Sequence, residues 1–294
     1  MAGNHPELLW DPEVLEKIES LRIESARVVD GLMSGGHLSR NLGVDVEFAD
    51  YKEYSAGDSL RHLDWRVYGR TDRYVVRRYQ LESELPTVLV LDASGDMGTA
   101  NKFDHAVRLV ACLAMYMHRQ NEPVGLVVVG GETLGERTLP PRTGRAHLAQ
   151  IFAGLAAVSP SGVADLSSGI CAVADAIRQR SVLVFASDFM EEVERWSRAL
   201  IGLRELRHHV VALHIMDPVE LALDFDTPAR FFSPEHGELV AVDPISAKDA
   251  FLGEVDVWQT AVEQAFLGSG AAYEAAWTTT DLAETLVQII EGVQ

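Results

Sequence analysis

Four short runs of consecutive apolar residues limit the possible folds of this chain most. An amphipathic helix or strand would interrupt such runs with polar residues at regular spacing, and these runs have almost none. They are Thr87–Leu91, Val124–Val129, Ser181–Ala186 and Val210–Ile215. Strands that are buried on both faces of a parallel sheet have such uninterrupted hydrophobic runs. Because segments with helical periodicity alternate with the runs, the sequence predicts an α/β fold with a doubly wound, mostly parallel sheet.

Apolar residues at helical spacing predict seven helices. These are Asp11–Met33, Phe103–Gln120, Ala146–Val158, Leu166–Arg178, Val193–Arg207, Ala247–Leu267 and Leu282–Glu291. Shorter strands are predicted at Thr133–Thr138, Arg230–Ser233 and Leu239–Val242.

Residues 37–84 show no clear period and end in the strand-like Tyr74-Val75-Val76. We therefore divide the chain into an N-terminal part, residues 1–84, and an α/β domain, residues 85–294. The irregular segment is rich in aromatic residues, which are too apolar for a solvated tether. We expect it to pack onto the α/β domain.

The charge balance excludes several classes of partner. The chain has 25 Lys and Arg against 44 Asp and Glu, a net charge of −19. A nucleic-acid binder needs a basic face, and an acidic protein is repelled by anionic membrane surfaces. The N-terminal residues show no signal-peptide pattern, and the longest apolar run, Leu109–Met117, is too short to span a bilayer. The two cysteines suit a reducing compartment, so we predict a cytoplasmic protein without a nucleic-acid partner or membrane insertion.

Oxygen-bearing side chains follow two of the apolar runs. Asp92, Ser94 and Asp96 come directly after the first run, and Asp188 follows the third. In an open α/β sheet, ligands bind outside the carboxyl ends of the strands, near the point where the strand order reverses. Carboxylate and hydroxyl oxygens are ligands for Mg²⁺, Mn²⁺ or Ca²⁺. Asp and Ser after a strand are also ordinary turn and cap residues, so both interpretations stay open here.

Common signatures of nucleotide binding and hydrolysis are missing from the sequence. It contains no GxxxxGK[ST] loop, no GxGxxG turn after a strand, no GxSxG elbow and no HExxH helix. The motifs therefore give no direct support for an enzyme.

A longer pattern resembles a known bacterial family. The strand, D-x-S loop and following helix are similar to a von Willebrand factor A domain. Upstream, the resemblance is to the domain-of-unknown-function family 58, whose genes commonly neighbour MoxR-type AAA+ ATPases. The residues that carry it are Gly35–Arg40, Gly43, Glu47–Tyr54, Gly57–Trp65, Tyr68–Arg70, Val75, Arg77, Glu82 and Lys102-Phe103.

This resemblance implies a von Willebrand A-like fold with no established enzymatic activity, so we do not expect an enzyme. The implied function is that of a protein-interaction module or adaptor, which works with a MoxR-type AAA+ ATPase and an unknown client protein. The ATPase would supply the energy, since this chain has no phosphate loop of its own.

The resemblance also implies a metal-ion-dependent adhesion site with departures from the family pattern. That pattern is D-x-S-x-S, a Thr from a second loop and an Asp from a third. Asp92, Ser94 and Asp188 match, but Asp96 replaces the second Ser and Ala164 stands where the Thr is expected. We expect weak Mg²⁺ or Ca²⁺ binding by Asp92, Ser94, Asp96 and Asp188, and we expect Asp165 to cap the next helix.

Two alternatives remain from the sequence. One is a metal-dependent phosphoester hydrolase with Asp92 as nucleophile and Asp188 on Mg²⁺. Aspartyl-phosphate chemistry commonly uses a second Asp two positions after the first, where this chain has Ser94, and a positioned Lys. The other alternative is a scaffold that binds no metal.

Overall fold

A computed structural model describes residues 12–34, 46–53, 75–81, 85–130, 138–163, 165–223, 225, 227, 229–232 and 239–292. These residues fall into two compact units, one within Met1–Arg40 and Pro86–Gln294 and the other within Asn41–Leu85. Ala164 and most of residues 37–84 lie outside the described residues. The predicted packing of residues 37–84 therefore stays a prediction, as does the domain boundary at 84/85.

Helices and strands alternate through the larger unit. Its helices are α1 (Pro12–Ser34), α2 (Lys102–Arg119), α3 (Arg145–Ala156), α4 (Leu166–Ala176), α5 (Val193–Glu205), α6 (Pro218–Ala222), α7 (Pro244–Gly268) and α8 (Leu282–Gly292). Its strands are β3 (Thr87–Asp92), β4 (Val124–Val129), β5 (Thr138–Arg142), β6 (Val182–Ser187), β7 (His209–Met216), β8 (Ala229–Phe232), β9 (Leu239–Val242) and β10 (Ala272–Trp277). The smaller unit contains an antiparallel pair, β1 (Val46–Glu53) and β2 (Val75–Leu81).

The six-stranded sheet has the order β10-β7-β6-β3-β4-β5, and only the β4–β5 pair is antiparallel. The predicted doubly wound, mostly parallel class is confirmed. From β3 the chain runs outward to β4 and β5, then crosses back so that β6 pairs with the other side of β3. The strand order therefore reverses between β3 and β6, and the parallel register Leu91↔Ala186 brings their carboxyl ends to the same edge.

Two helical layers cover the sheet. The predicted N-terminal helix α1 packs with α2, α3 and α8 in one layer, and α4, α5 and α7 form the other. In the second layer, Leu166, Trp196 and Phe266 pack in one core cluster with Val88 and Val90 of β3. Because both faces are covered, every residue of β3, β4 and β6 is buried, which explains their continuous apolar sequences.

Several elements differ from the prediction. The edge strand β10 was not predicted, because three of its six residues are Ala and one is Glu, both poor strand formers. Strand β1 and the short helix α6 were also missed. The predicted edge strand at Thr133–Thr138 is observed as β5 at Thr138–Arg142, and residues 131–137 lie outside the described part of the chain.

None of the helices in the described ranges combines the length and hydrophobicity that crossing a bilayer requires.

Candidate functional site

Polar side chains, all buried except the half-buried Glu220, meet where the strand order reverses. We call this group the switch-point cluster, and its members are Asp92, Ser94, Lys102, Ser187, Asp188 and Glu220. The carboxyl ends of β3 and β6 place the first strand's aspartate beside Ser187 and Asp188, as the sequence predicts. Lys102 is the first residue of α2, and Glu220 lies in α6 after β7.

Asp92 is held by hydrogen bonds to both of its carboxylate oxygens. Oδ1 accepts the backbone N–H of Ser94 at 2.8 Å, and Oδ2 accepts the hydroxyl of Ser187 at 2.6 Å. The residue is only 3% exposed. Burial, together with repulsion from Asp188, raises the pKa of Asp92 to about 6, against the opposing effect of the Ser187 hydrogen bond. The carboxyl group therefore gains or loses its proton close to neutral pH.

Asp188 is paired with a lysine inside the fold. Its Oδ2 lies 2.6 Å from Nζ of Lys102, and its Oδ1 accepts the backbone N–H of Met190 at 3.3 Å. Nζ of Lys102 also lies 2.7 Å from Oε2 of Glu220. Burial alone would lower the pKa of Lys102, but the two carboxylates outweigh it and raise that pKa. Lys102 is thus a buried ammonium between two acids.

The position of Glu220 is fixed by neighbouring contacts. Thr99, in the loop before α2, donates its hydroxyl hydrogen bond to the Glu220 carboxylate. Asp217 caps α6 by accepting the N–H of Val219 at 2.9 Å, and its other oxygen accepts the hydroxyl of Thr278 at 2.6 Å. These contacts connect α6 to the loop that precedes Lys102.

Backbone contacts hold the loop that follows Asp92. Gly130 directly follows β4 with φ +75°, and a Cβ there would lie 2.8 Å from the backbone nitrogen of Ser94. Only glycine fits this close approach without strain. On the other side, Gly95 donates to the carbonyl of Gly162 at 2.9 Å. The loop is therefore fixed between the end of β4 and the segment that leads into α4.

Asp165 caps α4, as predicted, by accepting the backbone N–H of Ser168 at 2.9 Å. Ala164, which stands where the family pattern has Thr, lies outside the described residues.

The predicted metal ligands are only partly arranged for an ion. The fold brings Asp92, Ser94 and Asp188 together, and Asp96 begins a 3₁₀ turn, Asp96–Gly98, in the loop that follows β3. The hydroxyl of Ser94 is buried and has no hydrogen-bond partner, so it could serve as a ligand. However, each oxygen of Asp92 and Asp188 already faces a donor. Across the residues that the structure describes, no three His, Cys, Asp or Glu side chains are grouped so that they could hold a metal ion.

The donor set as arranged therefore does not fit a divalent ion while Lys102 stands beside Asp188. Metal binding by Asp92, Ser94, Asp96 and Asp188 stays a prediction.

Sequence reasoning missed the roles of Lys102, Glu220 and Thr99. One signal could have found the lysine. It occupies the first position of a helix, where the macrodipole disfavours a positive charge. A lysine there indicates a local negative charge that outweighs the dipole. Glu220 gave no comparable signal, because the short helix that carries it was not predicted.

Three exposed apolar side chains lie in segments next to the cluster. Val163, Met190 and Val219 are 57%, 40% and 69% exposed. Val163 follows Gly162, whose carbonyl accepts a hydrogen bond from Gly95, the residue after Ser94. The backbone N–H of Met190 donates to Asp188, and Val219 precedes Glu220 in α6. We call these three residues the apolar rim.

The chain matches a known protein family. A family model described as "Protein of unknown function DUF58" matches residues 50–253. Among curated proteins, the uncharacterized proteins Mb1516 of Mycobacterium bovis and Rv1480 of Mycobacterium tuberculosis are each 29% identical to this chain over 289 residues. Each alignment covers 95% of this chain and 90% of the relative.

Solved structures show weaker similarity. An aerotolerance-related membrane protein from Bacteroides fragilis has a TM-score of 0.48 and 17% identity, covering 71% of this chain and 98% of that protein. BatB from Bacteroides thetaiotaomicron has a TM-score of 0.46 and 14% identity over the same shares. The VWA domain of SpRpn10 has a TM-score of 0.41 and 17% identity, covering 69% of this chain and 94% of that domain.

Proposed function

The chain belongs to the DUF58 family, and we propose that it is a non-enzymatic interaction module that works with a MoxR-type AAA+ ATPase. In this proposal the ATPase hydrolyses the nucleotide, and this chain connects it to a client protein in the cytoplasm. The support for the ATPase is the sequence resemblance described above. The missing phosphate-binding loop agrees with a division of labour in which the partner supplies the energy.

The observation that carries this proposal is the apolar rim around the switch-point cluster. Single exposed apolar residues are common on protein surfaces. Three of them around one buried, hydrogen-bonded cluster resemble the apolar centre of a protein interface. Hydrogen bonds also fix the backbone of the rim, because the N–H of Met190 donates to Asp188 and the N–H of Val219 donates to Asp217. A preorganised surface loses little entropy on binding.

A binding titration tests this proposal. The purified chain is titrated with the MoxR-type ATPase of the same genome, and the measurement is repeated with Met190→Glu and Val219→Glu. We expect each variant to weaken binding by about tenfold or more, because a charge would be buried in the interface. Ile201→Glu is the matched control, since Ile201 is 53% exposed but lies in the second half of α5.

Two results would contradict the proposal. One is no binding of the ATPase by the wild-type chain in the presence of nucleotide. The other is equal affinity for the rim variants and the Ile201→Glu control, which would place the contact surface elsewhere.

One observation bears on the alternative of phosphoester hydrolysis. Lys102 is buried beside an acid at a strand end, a placement that aspartyl-phosphate chemistry uses. Against this, Asp92 is 3% exposed and both of its oxygens accept hydrogen bonds, so the nucleophile has no open approach. Turnover of a generic phosphate ester that disappears in Asp92→Asn would establish this alternative over the interaction module.

A further inference from the structure

The positive charge in the switch-point cluster comes from a side chain of the protein, the ammonium group of Lys102. The Lys102 side chain is 1% exposed, and its Nζ lies 2.6 Å from Asp188 and 2.7 Å from Glu220. Lysine is almost never fully buried unless it is paired. This lysine also stands at a helix start, where the dipole opposes a positive charge. The two carboxylates must therefore supply the stabilisation that keeps the ammonium in place.

A divalent ion would need the same oxygens. Mg²⁺ requires about six oxygen ligands and Ca²⁺ requires about six to eight. Here Asp188 presents one oxygen to Lys102 and the other to a backbone N–H. Both oxygens of Asp92 accept hydrogen bonds as well. An ion near Asp188 would also be repelled by the ammonium, so ion and lysine exclude each other at this carboxylate.

The lysine joins three separate parts of the fold. It begins α2, Asp188 follows β6, and Glu220 lies in α6 after β7. A bound metal can join loops in this way by collecting their carboxylates. The ammonium does so with two charge-assisted hydrogen bonds and needs no ion from solution.

We infer that Lys102 is a built-in cation, which takes the place of a divalent ion in the switch-point cluster and holds Asp188 and Glu220 together. The wild-type crevice is therefore closed to Mg²⁺ and Ca²⁺. Removal of the ammonium leaves buried carboxylates and the unpartnered Ser94 hydroxyl, a donor set that suits a hard cation. This inference does not depend on the identity of the protein partner.

The experiment is a metal titration of the full chain by calorimetry, with melting curves in EDTA, millimolar Mg²⁺ and millimolar Ca²⁺. We expect no heat of binding and no shift in the melting temperature for the wild type or for Lys102→Arg. We expect Lys102→Met to bind a hard divalent ion and to gain several degrees in melting temperature, because the ion binds only the folded state. In Lys102→Met with Asp188→Asn, this gain should disappear.

Either of two results would overturn the inference. The first is divalent binding by the wild type that Asp92→Asn abolishes, which would establish the predicted metal site instead. The second is a folded Lys102→Met protein with no more affinity for Mg²⁺ or Ca²⁺ than the wild type. If the methionine variant does not fold in EDTA, Lys102→Gln replaces it. The wild-type titration tests the inference without any variant, because divalent binding by the wild type would contradict it. A failure of ATPase binding would leave these results unchanged, so the two proposals fail separately.

Discussion

Two neighbouring regions of the sheet bury ionisable side chains in different ways. The switch-point cluster buries them as charged pairs, whereas the surroundings of His214 bury a neutral ring. In the cluster, Lys102 and Asp188 are buried as an ion pair. On β7, next to β6, His214 is 0% exposed and lies among aromatic rings. Its ring centroid is 5.6 Å from that of Phe189 and 5.0 Å from that of Trp258.

The two regions differ in the partners that the fold offers. The Nδ1 atom of His214 lies 2.7 Å from the hydroxyl of Tyr273, an uncharged partner on β10. Burial lowers the pKa of His214 to about 3, and the nearby charge of Lys102 acts in the same direction. The ring is therefore neutral at physiological pH. A buried charge persists where a counter-charge is within hydrogen-bonding distance, whereas an ionisable group among rings stays neutral.

The largest expected effect comes from removing the counter-charge. Lys102→Met leaves Asp188 buried and unpaired, and we expect it to lower the free energy of unfolding by about 3–5 kcal/mol. Urea denaturation in EDTA measures this value. The matched control is Arg108→Met on the same helix, since Arg108 is 45% exposed and pairs with Asp104 at 2.7 Å. An exposed ion pair contributes about 0–1 kcal/mol to stability. Equal losses in the two variants would therefore contradict the claim that burial makes the Lys102 ion pair more important than the Arg108 ion pair.

A smaller effect follows from the pKa of Asp92. Because that pKa is raised to about 6, the folded state holds more protons than the unfolded state between about pH 4 and pH 6. The contribution of Asp92 to stability therefore falls as the pH rises through this window. We expect Asp92→Asn to gain about 2 kcal/mol relative to the wild type between about pH 4 and pH 7. Denaturation across this range measures the difference, and parallel pH profiles would contradict it.

The contribution of His214 to stability should depend on pH in the opposite direction to that of Asp92. Because the pKa of His214 is lowered to about 3, the unfolded state holds more protons between about pH 3 and pH 6.5. Its contribution to stability is therefore lost as the pH falls below about 6.5. We expect the wild type to lose about 2 kcal/mol relative to His214→Phe between about pH 7 and pH 5. Loss of the Tyr273 hydrogen bond gives a constant offset, so only the slope is compared, and equal slopes would show that the pKa of His214 is the same in the folded and unfolded protein.

The sequence predicts the sheet better than it predicts the cluster. The strands β3, β4 and β6 were found because burial on both faces leaves a continuous apolar run, and Asp92 and Asp188 were placed by the ends of such runs. The strand β10 was missed because its position beside β7, and not its Ala-rich sequence, makes it a strand.

The ion pairs could not be predicted in the same way. Lys102 and Asp188 are 86 residues apart in sequence, and Glu220 comes from a helix of five residues. No local pattern reports which acid a lysine will meet across a sheet edge. The same acids in the same loops are compatible with a metal or with an ammonium, and only the three-dimensional arrangement favours the ammonium.

Diffraction from crystals of the wild-type chain grown with millimolar Mn²⁺ tests the central claim most directly. Manganese gives an anomalous signal and binds the hard oxygen ligands that suit Mg²⁺. We expect no anomalous peak between Asp92 and Asp188, and we expect Nζ of Lys102 to lie within hydrogen-bonding distance of Asp188. A manganese ion ligated by Asp92 and Ser94, with Lys102 turned away from Asp188, would contradict the claim that this lysine is the resident cation.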